Sequence, residues 1–383
     1  MQKKIVIGGI TFLISVVVVH LFLGYGYIFK AISYAYLRGQ KGPGINEHHL
    51  FYNYKFKTEK PVIWKNNLPD KLISDQDISF LNSTQTAAFL VIQSDEIVHE
   101  SYFEEFDKNI PTNSFSAVKS MVSLCVGIAI EEGFIDSVDQ KVCEFIPEFK
   151  NGKLSEISIR HLLTMSSGLS WSESGKNPYS NNAEAYYGSN LRNLVTSQTP
   201  LSKPGKIFDY KSGDTQLLCY IIEESTGLSV GEYFNAKIWS KINAENNAFW
   251  NLDGEGGDEK GFCCFYATPR DFAKIGKLVL NNGNWEGIQL VPKKYLKSCL
   301  YPANEIIEKD GTKNNRYGWQ WWYAEKDGKQ IHYARGLLGQ YIIIVPEDDL
   351  IIVRTGWKRK KLGKDGHPID FWDYINITNH LIF

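Results

Sequence analysis

The sequence has almost no net charge, with 42 Lys and Arg against 43 Asp and Glu over 383 residues. Without a basic excess, broad electrostatic capture of nucleic acid is excluded as the main activity. Zinc-site spacings are also missing. The eight histidines include no His-Glu-x-x-His and the six cysteines no Cys-x-x-Cys, so metal-assisted hydrolysis finds no motif to rest on. Gly254-Glu255-Gly256-Gly257 reads as a surface loop and Gly283-Asn284-Trp285-Glu286-Gly287 as a turn, which leaves no phosphate cradle. Neither a metal nor an organic cofactor is expected. Internal repeats and low-complexity tracts are absent.

Cysteine is scarce. Six residues permit disulfides in an oxidising compartment. Cys125 and Cys219, however, fall inside apolar helical patterns, and adjacent Cys263 and Cys264 match neither a zinc nor a redox pattern. Free thiols are the expectation.

Long apolar runs are absent except at the N-terminus. Met1-Gln2-Lys3-Lys4 precedes a stretch from Ile5 to about Ile28 that is apolar apart from His20 and scattered small or hydroxyl residues. About 20 such residues at 1.5 Å rise match the bilayer core. Lys3 and Lys4 place the N-terminus in the cytoplasm. No small-x-small cleavage site follows at Gly24-Tyr25-Gly26-Tyr27, so an uncleaved single-pass transmembrane helix is favoured over a cleaved signal. Either arrangement puts the rest of the chain outside the cytoplasm. The organisation read from the sequence is a membrane anchor over 1–30, a polar, aromatic and Gly-rich linker over 31–74, and one catalytic domain over 75–383.

Aromatic residues are plentiful, with 10 Trp, 21 Tyr and 21 Phe, enough for a large core. Ala87–Gln93 and Ile97–Tyr102 read as strands of a hairpin around Ser94-Asp95-Glu96. Tyr341–Val345 and Leu350–Arg354 read as late strands. Ser116–Glu132 is apolar on nearly every face, which predicts a helix in the middle of a domain. Further helices are expected at Ile159–Met165, Gln216–Ser225, Val230–Ile238, Pro269–Leu280 and Asp370–Phe383. Strands at both ends with helices between predict one sheet completed late.

Ser116-Ala117-Val118-Lys119 is the only Ser-x-x-Lys in the chain. Positions i and i+3 share a helix face, so the two side chains can meet. A serine hydroxyl becomes a useful nucleophile when a base takes its proton. Burial and a helix N-terminus both disfavour the charged form of a lysine, which suits it to that task. The alternative is an exposed polar stripe at a helix start. Pro204–Asp214 forms a second element, in which Tyr210 arrives just before a helix. A phenol near an ammonium loses its proton more easily and can act as general base. Ser212 belongs either to the same pocket or to the helix cap. The third element, Tyr333-Ala334-Arg335-Gly336-Leu337-Leu338-Gly339-Gln340, precedes a late strand, and its glycines let backbone approach a ligand closely. Tyr186-Tyr187 and Trp319–Trp322 are candidates for a pocket wall or for the core.

Together these elements resemble the serine β-lactamase and penicillin-binding-protein superfamily, in particular its class C β-lactamase-related hydrolases such as 6-aminohexanoate-dimer hydrolase. Ser114-Phe115-Ser116-Ala117-Val118-Lys119-Ser120, Ile159–Leu169 and Tyr317-Gly318-Trp319-Gln320-Trp321-Trp322 carry the likeness, which covers about residues 75–383. The resemblance implies an α+β fold: an antiparallel sheet flanked by helices, with a mainly helical insert and the site between them. It also implies Ser116 as acylated nucleophile, Lys119 as its proton partner and Tyr210 as general base. The oxyanion hole would join the Ser116 N–H to one near Gly336. Two departures stand out. Ser212 sits where Asn is common, and Arg335 lies in a stretch that lacks the family's Lys-Thr-Gly lysine. Arg335 and Ser212 are therefore the candidate substrate-binding groups. The implied activity is hydrolysis of a small-molecule or peptide-like ester or amide. The rival is a catalytically silent binder or sensor for peptide or cell-wall fragments on the same scaffold. Oligomeric state is not legible.

Overall fold

The computed structural model describes residues 2–67 and 73–382. Its centre is a seven-stranded sheet in the order Trp322–Lys326, Lys329–Gly336, Gln340–Val345, Leu350–Gly356, Thr86–Gln93, Glu96–Tyr102 and Lys65–Asn66. Every neighbouring pair is antiparallel except the last. The first long strand of the sheet therefore pairs with the last, with Phe89 opposite Arg354. That is the late completion expected from sequence.

The central strands are buried on both faces, and their period-2 side chains feed two separate cores. Leu90, Ile92, Ile342, Ile344, Ile351 and Val353 point to one core. Phe89, Val91, Ile343, Val345 and Ile352 point to the other. Helix Pro269–Leu280 covers the first face. Its Thr268 cap accepts from the Asp271 N–H, and Pro269 occupies the first turn, where a missing N–H costs nothing. Gly276 lets this helix settle on the sheet, since a Cβ there would lie 2.7 Å from Ile351. Helix Ile369–Ile382 covers the other face through Phe371 and Tyr374.

The insert between the early and late strands is mainly helical, around Val118–Glu131 and Ser212–Thr226. Residues 118–129 are all buried, as an all-round apolar helix requires. The expected Val230–Ile238 helix is instead Val230–Phe234 continued by a wider turn, Asn235–Trp239. The architecture is the α+β arrangement expected.

Two expectations are corrected. The stretch from residue 31, taken as a linker, enters the fold. Asn53–Phe56 is an edge strand paired with Ala248–Asn251, and Ile45 and Phe56 are fully buried. Large apolar side chains spaced among polar ones hid this packing. The expected single span from Ile5 to about Ile28 is also broken: the first helix, Gln2–Phe22, stops before Gly24, whose φ is +82°. A second helix, Tyr27–Tyr34, then turns back with Tyr27 buried. Among the described residues no single helix is long and apolar enough to cross a membrane. Segments Ile14–Phe22 and Tyr27–Arg38, bent by 120°, reach that length and composition only together.

Candidate active site

The chain enters the Val118–Glu131 helix through a one-turn 3-10 segment, Phe115–Ala117. Phe115 has φ +43°, a conformation that costs a bulky L-residue roughly 1–2 kcal/mol. The Asn113 carboxamide holds it there by accepting from the Phe115 N–H at 2.8 Å. This turn sets Ser116 just before the helix and Lys119 in the helix's first turn.

Lys119 is 1 % exposed, and its ammonium position is fully furnished with acceptors. Nζ lies 3.0 Å from Ser116 Oγ, 3.1 Å from Ser212 Oγ and 2.6 Å from the Phe262 carbonyl. Burial lowers the Lys119 pKa to about 8, while the Glu173 carboxylate acts in the opposite direction. The Tyr210 ring stands 5.2 Å from Lys119 Nζ. Burial, then Glu173, push the phenol well above its usual value, while the neighbouring Ser116 acts to lower its pKa. The sequence-based expectation of a phenol readily deprotonated by the ammonium is thus opposed by desolvation.

Ser212 is the first residue of the Ser212–Thr226 helix, and its hydroxyl does not cap it. It donates to Glu173 Oε1 at 2.6 Å, while Glu173 Oε2 accepts from the Ser212 N–H and from Trp171 Nε1, each at 2.8 Å. Glu173 was missed in the sequence. It lies in a polar loop with no periodic pattern, and only the neighbouring Trp171 marks the loop as ordered. Gln320 locks the surrounding helices. Its carbonyl accepts from Ser120 at 2.6 Å, its Oε1 accepts from Thr215 at 2.8 Å, and its Nε2 donates to the Leu162 carbonyl at 2.9 Å.

Ser116, Tyr210, Ser212 and Glu173 open on a cavity of about 490 Å³, together with Arg335, Gly336 and Leu337. Gly336 ends a sheet strand directly against the nucleophile turn, where a Cβ would come within 2.1 Å of the Ser114 carbonyl. Arg335 lays its guanidinium carbon 3.4 Å from the Trp322 ring centroid, and its buried Nη1 has no hydrogen-bond partner. Lys41, Lys176, Arg316 and Arg359 also line the cavity. Arg316 is held by Glu308 at 2.9 Å. Of the aromatic candidates, Tyr186, Tyr187 and Trp322 reach the cavity, while Trp319 and Trp321 belong to the core. Residues Ala31, Ala35 and Tyr36, from the segment expected to be a linker, form part of the wall.

Two further serine and cysteine features are resolved. Gly227-Leu228-Ser229-Val230-Gly231 spells a Gly-x-Ser-x-Gly, but Ser229 caps a helix that follows another helix and donates to Glu259 at 2.7 Å. It is not exposed on a strand-to-helix turn, as a nucleophile elbow requires. Cys263 and Cys264, expected to be free, form a disulfide immediately after Phe262. The positive φ of Cys264, +68°, turns the backbone there. Cys125 and Cys219 are buried free thiols.

A serine and a lysine in contact at the head of a buried helix, beside the end of a sheet strand, define a Ser-x-x-Lys hydrolase architecture. A family model described as Beta-lactamase matches residues 79–355, and the chain belongs to that family as one of its serine hydrolases. It is 28% identical over 295 residues to the 6-aminohexanoate-dimer hydrolase of Paenarthrobacter ureafaciens, covering 72% of this chain and 74% of that one. It is 29% identical over 274 residues to the teichoic acid D-alanine hydrolase of Staphylococcus aureus, covering 66% and 64%. Among solved structures, a protein from Bacillus anthracis described as a 6-aminohexanoate-dimer hydrolase superposes with a TM-score of 0.75. That match has 22% identity and covers 92% of this chain and 93% of that one.

Proposed function

We propose that the protein hydrolyses an ester or amide bearing an anionic group, through an acyl-enzyme on Ser116. The observation that carries this reading is the 3.0 Å contact between Lys119 Nζ and Ser116 Oγ at the wall of the cavity. Neutral Lys119 takes the Ser116 proton as Oγ bonds to the substrate carbonyl carbon. The backbone N–H groups of Ser116 and of the Gly336–Leu337 turn receive the oxyanion. When the intermediate collapses, the carbonyl–leaving-group bond breaks. Tyr210, as a neutral phenol, passes the proton from the Lys119 ammonium to the departing oxygen or nitrogen. Water then repeats the sequence on the acyl group and frees Ser116.

The cavity lining supports the substrate charge. Five cationic side chains face it, and the acid among its residues, Glu173, is already engaged by Ser212 and Trp171. Relatives named for a 6-aminohexanoate dimer and for teichoic acid D-alanine support hydrolysis of acyl derivatives of this general kind. The apolar N-terminal segment with Lys3 and Lys4 supports attachment to a membrane with the catalytic unit outside the cytoplasm. Recovery of the full chain in the membrane fraction after an alkaline wash tests that placement, and quantitative release contradicts it.

The test of the activity is steady-state turnover of chromogenic esters, with and without a carboxylate, by the wild type and Ser116→Ala. Loss of turnover in the variant supports the enzyme. Labelling of Ser116 without turnover favours a covalent sensor instead.

A further inference from the structure

Lys119 has three partners, and their hydrogen-bonding capacities are unequal. The Phe262 carbonyl, 2.6 Å away, can only accept. Ser212 owns one hydroxyl hydrogen, and the structure commits it to Glu173 Oε1 at 2.6 Å. Ser212 can therefore only accept from Lys119 at 3.1 Å. A neutral lysine amine has two N–H groups and one lone pair. With both N–H groups drawn to Phe262 and Ser212, the lone pair is left for the third neighbour, Ser116 Oγ.

We infer that Glu173 is a positioning residue for the acylation step: by holding the Ser212 hydrogen, it keeps the Lys119 lone pair aimed at the Ser116 hydroxyl. The inference deepens the hydrolase reading above and rests on it. Glu173 itself need not touch the reacting atoms. Its second oxygen is fixed by two N–H donors, from Ser212 and Trp171, each at 2.8 Å. That anchorage settles which way a neutral amide would sit. In E173Q the carboxamide oxygen must meet those two N–H groups, so its NH2 faces Ser212 Oγ and donates to it. The Ser212 hydrogen is then displaced toward the Lys119 lone pair, where it competes with Ser116. Glu173 also supports the protonated form of Lys119 electrostatically, against the effect of burial. Removing its charge therefore moves the Lys119 titration downward.

The probe is a fluorophosphonate. Ser116 Oγ bonds to phosphorus, fluoride leaves, and the Ser116 proton passes to Lys119, so the labelling rate reads the acylation half-reaction without a known natural substrate. In E173Q the plateau labelling rate should fall about tenfold, the scale of one misdirected hydrogen bond. Its pH limb should shift downward by about one unit, as expected for loss of a neighbouring opposite charge. Ser212→Ala should also slow labelling but leave the limb in place, because the Glu173 charge remains. On the plateau the double variant should match Ser212→Ala within about twofold, since there Glu173 acts through that hydroxyl, while its limb should keep the E173Q shift. Undiminished labelling by E173Q, an unmoved limb, or a multiplicative loss in the double variant overturns the inference. If E173Q does not fold, wild-type labelling by Ser212→Ala overturns it alone. Failure of the wild type to label at all counts instead against the hydrolase reading.

Discussion

Arg335 and Trp322 form a stacked pair at the cavity wall, with the guanidinium carbon 3.4 Å from the ring centroid. Among the described residues no carboxylate forms an ion pair with Arg335, and its Nη1 atom is buried without a hydrogen-bond partner. Desolvation lowers its pKa, and the Trp322 ring offsets only part of the cost of burying a charge that no carboxylate among the described residues pairs. A substrate anion would supply the missing partner. Arg335→Met, which keeps the stack's length but not its charge, is expected to reduce kcat/KM for carboxylate-bearing esters by about 30-fold or more. Neutral esters should change by less than about threefold. Equal losses on both substrates would contradict an anion-recognising role.

The buried Lys119 gives the reaction a definite pH sense. Its pKa is lowered from 10.5 to about 8, and the base form is the one that accepts the Ser116 proton. The acylation rate should therefore rise with pH through about 8 and level off above it. Lys119→Arg, charged at every accessible pH, should abolish the limb and lower the rate by about 10²–10⁴-fold. A rate that is flat from about pH 6 to about pH 9 in the wild type would assign the proton to another group.

Much of this arrangement was legible in the residues. Continuous apolar runs such as Ala87–Gln93 and Tyr341–Val345, bounded by polar turns, disclosed the sheet, because strands buried on both faces carry no polar alternation. The spacing of Ser116 and Lys119 disclosed the contact because three residues make almost one helical turn. Glu173 was not legible, because a loop carries no period and its partner Ser212 lies far along the chain. The packing of residues 31–67 was hidden for a different reason. Phe51, Phe56 and Trp64 are each inward-facing, but polar residues and the exposed Tyr52, Val62 and Ile63 lie between them, so no face could be recognised before the partner strand Ala248–Asn251 was seen. The Cys263–Cys264 bond joins neighbours, a pairing that spacing arguments do not anticipate.

That packing has a direct consequence for truncation. Removing residues 1–24 leaves the buried side chains of the segment intact, whereas removing 1–74 takes away Ile45 and Phe56, both fully buried, and the edge strand. Each such side chain contributes roughly 1.5–3 kcal/mol. The longer truncation should lower Tm by about 10 °C or more relative to the shorter one, or prevent folding. Equal melting temperatures would restore the linker reading.

Asp214 offers a stability test with a fixed sign. Its Oδ1 accepts from Ser167 at 2.7 Å, while Oδ2 is buried without a partner. Burial raises its pKa from 3.8 to about 7. The folded state keeps a proton that the unfolded state would release, so stability is lost as pH rises from about 4 to about 7. A shift of that size corresponds to at most about 4 kcal/mol. Asp214→Asn carries no such penalty. Its unfolding free energy in urea should gain on the wild type between about pH 5 and about pH 8. A gap that stays constant or narrows would show that Asp214 ionises without cost.

The account depends most on an activated Ser116, and intact-protein mass spectrometry with peptide mapping after fluorophosphonate treatment measures that property directly. A single adduct located on Ser116 in the wild type, absent from Ser116→Ala and slowed in Lys119→Arg, is the predicted result. An unmodified wild-type protein, or an adduct on another residue, would contradict it.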